Sequence, residues 1–138
     1  MSNLSMDQLP EWFGLLGLQM VNLVLANIPA LLSHLGLEKT PILSAGPYVQ
    51  RATARRRGCQ VDLLIMTRRG LYLIEIKHRE HVDATVVDEI REKVHRLDTG
   101  TERSIRTVLI HSGSLSKGVR EDDYIDYTIS LESLLAGE

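Results

Sequence analysis

The stretch GCQVDLLIMTRRGLYLIEIKHRE, residues 58–80, holds two apolar runs, VDLLIM and LYLIEIK, joined by the turn-like TRRG. Short runs rich in Val, Ile and Leu and bounded by turn residues read as strands covered on both faces. Two of them joined this closely read as a central β-hairpin. A chain built on such a hairpin has to supply helices for both of its faces, which constrains the fold more than any other feature. The same stretch contains a conflict. Asp62 interrupts the first run, and Glu75 and Lys77 interrupt the second. Charged groups inside buried strands require compensation.

The rest of the chain supplies the helices. Residues 7–36 read as an N-terminal helical segment, with Pro10 in a first-turn position, Pro29 as a kink or a division into two helices, and Gly36 as the stop. PYVQRATARR reads as a first strand running from about Tyr48 to Ala54. In DATVVDEIREKVHRL, Val87, Ile90, Val94 and Leu97 recur at helical spacing, predicting an amphipathic helix from near Asp83 that ends by Gly100. On that helix Glu89 and Lys93 fit an i,i+4 surface pair, with Asp88 and Glu92 also in solvent positions. RTVLIHS reads as a further strand, SGSLSKG as a loop and DYTIS as a short strand; Ser130 then caps a closing helix with Glu132 in its first turn. The order α-β-β-β-α-β followed by β-α predicts an α/β fold, a mixed sheet sandwiched between helices. At 138 residues the chain fits one domain, with a helical segment at 7–36 and a core over 41–135.

Composition bears on three further points. Net charge is −2, so the global balance does not point to nucleic acid and local distribution has to carry that question. Residues 12–33 are uncharged and long enough to span a bilayer, but Gln19, Asn22 and Ser33 trace a polar stripe, Asn27 and Pro29 dilute the apolar character, and no basic region precedes them. The expectation is a core-packing helix and no membrane contact. The single cysteine, Cys59, excludes an internal disulfide and fits a reducing, cytoplasmic setting.

Side chains alternate along a strand, so Glu75 and Lys77 share one face. If Arg68-Arg69 forms the hairpin loop, Asp62 stands directly opposite Glu75; if Arg69-Gly70 forms it, Asp62 faces Lys77 and lies diagonal to Glu75. Either register places all three on one face, unless an odd loop with a bulge intervenes. Directly opposed side chains stand about 5 Å apart at Cβ. Two carboxylates at that distance repel by about 3 kcal/mol at an effective dielectric of about 20. A divalent cation, a shared proton or the Lys77 ammonium could each relieve this. Two carboxylates with a backbone carbonyl make an oxygen-only set suited to Mg²⁺ or Mn²⁺, and such an ion lowers the pKa of bound water and neutralises charge on a phosphoryl oxygen. Lys77 would then orient the attacking water, help deprotonate it or stabilise transition-state charge. The competing reading is a structural ion pair at a strand end.

Arg51, Arg55, Arg56, Arg57, Arg68 and Arg69 flank the Asp62 strand and could hold phosphates, or could simply be solvated basic loops. Gln60, two residues before Asp62, is expected on the same side as a supporting donor. His78, His81, His95 and His111 have no compact metal-ligand spacing, and Cys59 has no partner that marks a nucleophile.

A lone Asp at the start of one strand, a hairpin, and a Glu-x-Lys ending the next resemble the PD-(D/E)XK nuclease superfamily, whose core is also α-β-β-β-α-β. More closely, QRATARRRGCQVDLLIMTRRGLYLIEIKHRE looks like the nuclease-like domain at the C-terminus of a group of prokaryotic AAA-type ATPases, with the similarity running from about Trp12 to Leu135. The resemblance implies a restriction-endonuclease-like fold and Mg²⁺- or Mn²⁺-dependent hydrolysis of DNA phosphodiesters. It implies Asp62 and Glu75 as metal ligands, the carbonyl of Ile76 as a further ligand, and Lys77 as the catalytic lysine. No phosphate-loop motif occurs in this chain, so the expectation is a stand-alone or an excised module, with an ATPase as a separate partner; a homodimer is expected because a small single-site domain needs two copies to cut both strands together. The alternative is a catalytically inactive module that binds nucleic acid or a protein. Two departures stand out. Val61 replaces the proline of the family's name, and the first helix, which carries a glutamate in many members, here reads QMVN at residues 19–22, with no acid between Glu11 and Glu38.

Overall fold

The computed structural model describes residues 15–98 and 103–137. Its elements run α1 (Leu15–Ala26), α2 (Ile28–His34), β1 (Ser44–Gln50), β2 (Cys59–Met66), β3 (Gly70–Val82), α3 (Thr85–Arg96), β4 (Ser104–Leu115), α4 (Lys117–Arg120), β5 (Tyr127–Ser130) and α5 (Leu131–Leu135). The fold is α/β: one five-stranded mixed sheet in the order β1-β2-β3-β4-β5, flanked by helices. The antiparallel β1–β2–β3 meander is followed by parallel β3–β4 and β4–β5 pairs. No described helix is long and apolar enough to cross a membrane.

The helical segment divides in two at Asn27, whose side-chain amide donates to the Leu23 carbonyl and closes α1. Pro29 sits in the first turn of α2, where a missing N–H costs nothing. At the other end Gly36 takes a φ of +70°, Leu37 N–H reaches the Leu32 carbonyl and Gly36 N–H the Ser33 carbonyl, a complete Schellman stop. The segment expected over residues 7–14 lies outside the described residues.

The hairpin loop is Arg68-Arg69. Thr67 N–H donates to the Gly70 carbonyl, and the buried Thr67 hydroxyl both accepts from Gly70 N–H and donates to that carbonyl. The ladder runs from Met66↔Leu71 to Leu63↔Ile74. Alternate residues of β2 and β3 then serve opposite layers. Leu64, Leu71 and Leu73 pack with Val86, Val87 and Ile90 of α3. Leu63, Ile65 and Ile74 pack with Val24, Leu31, Leu131 and Leu134 of α1, α2 and α5.

Two boundaries differ from the sequence reading. The first strand lies earlier, over Ser44–Gln50, and RATARR forms the loop after it. Gly46 and Pro47 look like turn residues, but β1 is an edge strand, where a proline's missing N–H faces no partner. The expected loop SGSLSKG instead extends β4 to Leu115 and opens α4, capped by Ser116, whose hydroxyl accepts from Val119 N–H. That extension depends on Gly113. Its φ is +89°, and a Cβ there would fall 1.8 Å from the Arg79 carbonyl oxygen, where β3 carries two residues against one of β4. The helix expected from near Asp83 and ending by Gly100 runs over Thr85–Arg96.

Candidate active site at the open end of the hairpin

Asp62 lies where the sheet loses its regularity. Against β1 the register passes from Gly46↔Leu64 to Tyr48↔Val61, so Asp62 and Leu63 together face Pro47, which has no N–H to offer. The alternation of β2 breaks there too. Leu63 packs on the α1/α2 side, while Leu64 and Val61 both pack on the α3 side. Asp62 therefore leaves the strict one-face arrangement and turns toward β3, where its Oδ2 accepts from Ile76 N–H at 2.9 Å. A residue's N–H and C=O leave a strand on the same edge, so the Ile76 carbonyl shares this opening beyond the end of the β2–β3 ladder.

Glu75 points from β3 toward α3 and is 3% exposed. Lys93 of α3 places its ammonium 2.6 Å from Glu75 Oε2, and Lys77 stands 3.8 Å from Oε1. Lys77 is itself drawn to α3 by Glu89, at 2.7 Å. Burial, then the charge of Asp62 and a hydrogen bond with its carboxyl group, push the Glu75 pKa up to about 8 against the opposing pull of Lys93. Burial works against the Lys93 ammonium, but Glu75 and then Asp62 outweigh it and raise its pKa. These directions agree physically: burial beside a second carboxyl group favours the protonated form of Glu75, and the acidic surroundings favour the charged form of Lys93.

The structure thus brings Asp62, Glu75, Lys77 and Ile76 together, and adds two residues from α3. Glu89 and Lys93 are not a surface pair with each other; each reaches a partner on β3. The signal was present in the sequence. Val86, Ile90 and Leu97 are buried, and position 93 follows Ile90 by three and precedes Leu97 by four, so it lies on the inward stripe. The stripe read through Val94 missed it.

Two cavities adjoin the site. One, of about 210 Å³, is lined by Gly17, Met20 and Val21 of α1 together with Asp62, Ile76, Lys77, His78 and Arg79. Gln19 and Asn22, the two polar residues of QMVN, are both exposed and do not line it. The other, of about 450 Å³, lies along α3 and includes Gln60, Glu89, Lys93 and Arg96. Gln60 consequently belongs to the α3 cavity, while Asp62 belongs to the α1 cavity.

The arginines separate into two groups. The loop after β1 is folded by Thr53, whose hydroxyl accepts from Arg55 N–H and Arg56 N–H. It is anchored by the buried Gln50, whose amide donates to the Arg57 and Arg96 carbonyls and accepts from Asp98 N–H. Arg56 pairs with Asp98 at 3.6 Å and Arg57 with Glu92 at 3.3 Å, whereas Arg51 and Arg55 are exposed and enter no ion pair among the described residues. This loop leads directly into the Asp62 end of β2. Arg68 and Arg69 occupy the hairpin tip at the other end, six residues from Asp62 or roughly 20 Å at strand rise. One neighbourhood holding all six, expected from their closeness in sequence, does not form because β2 is extended.

The donor set suits a single hard cation. A cation would take Asp62 Oδ1, Glu75 Oε1 and the Ile76 carbonyl, replacing the hydrogen bond between the two carboxyl groups and lying beside the Lys77 ammonium 3.8 Å from Oε1, with water to complete the shell. Among the described residues no three His, Cys, Asp or Glu side chains converge as a protein cage. No protein-family model, curated protein or solved structure matches the chain.

Proposed function

We propose that this chain is a metal-dependent nuclease of the PD-(D/E)XK type, hydrolysing DNA phosphodiester bonds at the Asp62–Glu75 opening. The observation that carries the reading is the convergence of two strand carboxyl groups and a lysine where the central hairpin splays apart. The strand order and the mixed pairing agree with the restriction-endonuclease-like core that the sequence resembles.

Asp62, Glu75 and the Ile76 carbonyl would hold Mg²⁺ or Mn²⁺, which supplies a more acidic bound water and neutralises charge on the phosphoryl oxygen. The chain's own groups do the remainder. Asp62 hydrogen-bonds the backbone of Ile76 and so fixes the spacing of the ligand oxygens across the split strands. Lys77, held by Glu89, offers a cationic donor to a phosphoryl oxygen or to the attacking water. Arg51 and Arg55 approach the substrate backbone from the β1–β2 loop. A homodimer would let two such sites cut both strands, and an ATPase could act as a separate partner.

The test is cleavage of plasmid and single-stranded DNA with Mg²⁺ or Mn²⁺, compared with Glu75→Ala. Cleavage abolished by the substitution with binding retained supports the enzyme; wild-type protein inert with every divalent ion tried defeats it. The short Lys93–Glu75 contact favours a second reading, a non-catalytic nuclease-like module that binds nucleic acid or a protein. That reading expects DNA binding without cleavage.

A further inference from the structure

Resting on the metal-dependent reading above, we propose that Lys93 is a built-in second cation of the centre, which limits it to one divalent ion per chain. The ion would lie between Asp62, the Oε1 oxygen of Glu75 and the Ile76 carbonyl. Three observations meet here. Glu75 Oε2 is occupied by the Lys93 ammonium at 2.6 Å, so this carboxylate has one oxygen to offer and cannot bridge two ions. The α1 wall of the cavity that Asp62 enters is made by Gly17, Met20 and Val21, none of which has a side-chain oxygen. The nearby Glu89 is committed to Lys77 at 2.7 Å.

Charge leads to the same stoichiometry. Asp62, Glu75 and Glu89 carry three negative charges when ionised, and Lys77 and Lys93 return two positive ones. The net of −1 is reversed by one divalent ion, and a second would leave a strongly cationic, half-buried cluster with no further ligands. Lys93 is thus a positioning residue. It acts through Glu75, taking up the Oε2 oxygen and leaving Oε1 on the Lys77 side.

The experiment is Mn²⁺ binding to the full chain without DNA, with stoichiometry read by calorimetry and by electron paramagnetic resonance. Wild type and Lys93→Arg are expected to bind one ion per chain. Lys93→Glu, which puts a carboxylate where the ammonium stood, is expected to bind two. The second number is a readout that a merely structural lysine would not move. Two ions in the wild type overturn the proposal and leave metal-dependent hydrolysis standing, as does a folded Lys93→Glu chain that still takes one. If no Mn²⁺ binds to any of the three, the metal-dependent reading fails and this inference fails with it.

Discussion

Lys93 of α3 meets Glu75 of β3 at 2.6 Å across the buried face between helix and sheet. Lys77, two residues further along β3 than Glu75, instead makes its short contact with Glu89. The lysine that neutralises the central acid therefore comes from the helix.

Removing Lys93 measures that contact. Breaking a buried pair by deleting one partner costs about 3–5 kcal/mol when the other charge is trapped. Glu75 escapes part of this by keeping its proton, and the Lys93 side chain is 22% exposed. Lys93→Met is expected to lower unfolding free energy by about 2 kcal/mol, read as a fall in the urea midpoint at unchanged slope. A change near zero would show that the pair does not hold α3 against the sheet.

The pH dependence of stability follows from Glu75. Its folded pKa of about 8 lies above the usual 4.5, so between those values the folded state binds more protons than the unfolded state. Its stabilising contribution is fully present below pH 4.5 and is lost as pH rises toward 8, at most about 1.4 kcal/mol per pH unit. Asp83, held low by its hydrogen bonds to Thr85, and Glu92, held low by Arg96, act in the opposite sense and only in the acid range. Lys93, raised by its two acidic neighbours despite burial, acts only above the ordinary lysine range. Chemical denaturation from pH 5 to 9 is expected to show stability falling in the wild type and staying flatter in Glu75→Gln. Parallel curves would place the Glu75 titration elsewhere.

Gly113 and Gly36 both have positive φ, but they differ in surroundings. A Cβ at Gly113 would run into the Arg79 backbone, while nothing lies within 4 Å of one at Gly36. Gly36→Ala should cost only the left-handed backbone term, about 1 kcal/mol. Gly113→Ala must also move the β3 bulge and is expected to cost about 3 kcal/mol or more. Thermal denaturation of the two variants checks the difference, and equal shifts would contradict the close β3–β4 approach.

The hairpin was legible because its signals were local: two apolar runs and a turn that leaves two residues for the loop. The closing cap at Ser130, accepting from Ser133 N–H, was local too. What escaped was set by distant partners. Pro47 belongs to a strand only because β1 is at the sheet edge, and Gly113 continues β4 only because β3 bulges beside it. At the site, spacing brought Asp62, Glu75 and Lys77 forward as candidates that would lie close together. It could not show the β2 bulge that turns Asp62 toward Ile76, since that depends on the register with β1. Lys93 was hidden by a choice between two overlapping apolar stripes, which only packing against the sheet decides.

The two groups of arginines make a last prediction about DNA. Each phosphate contact contributes about 0.9 to the slope of log affinity against log salt. Arg51 and Arg55 are exposed and enter no ion pair among the described residues, on the loop that enters β2 at its Asp62 end, so each can contact a phosphate. Arg56 and Arg57 already have Asp98 and Glu92, and recruiting them means giving up those pairs. Replacing Arg51 and Arg55 together with Ala is expected to lower the slope by about 2, and replacing Arg56 and Arg57 to lower it by clearly less. Arg68 and Arg69, roughly 20 Å from Asp62 along an extended strand, should matter only for duplexes long enough to reach the hairpin tip. Binding isotherms on a short and a long duplex at several salt concentrations separate these contributions. A slope indifferent to Arg51 and Arg55 would remove the β1–β2 loop from the DNA interface.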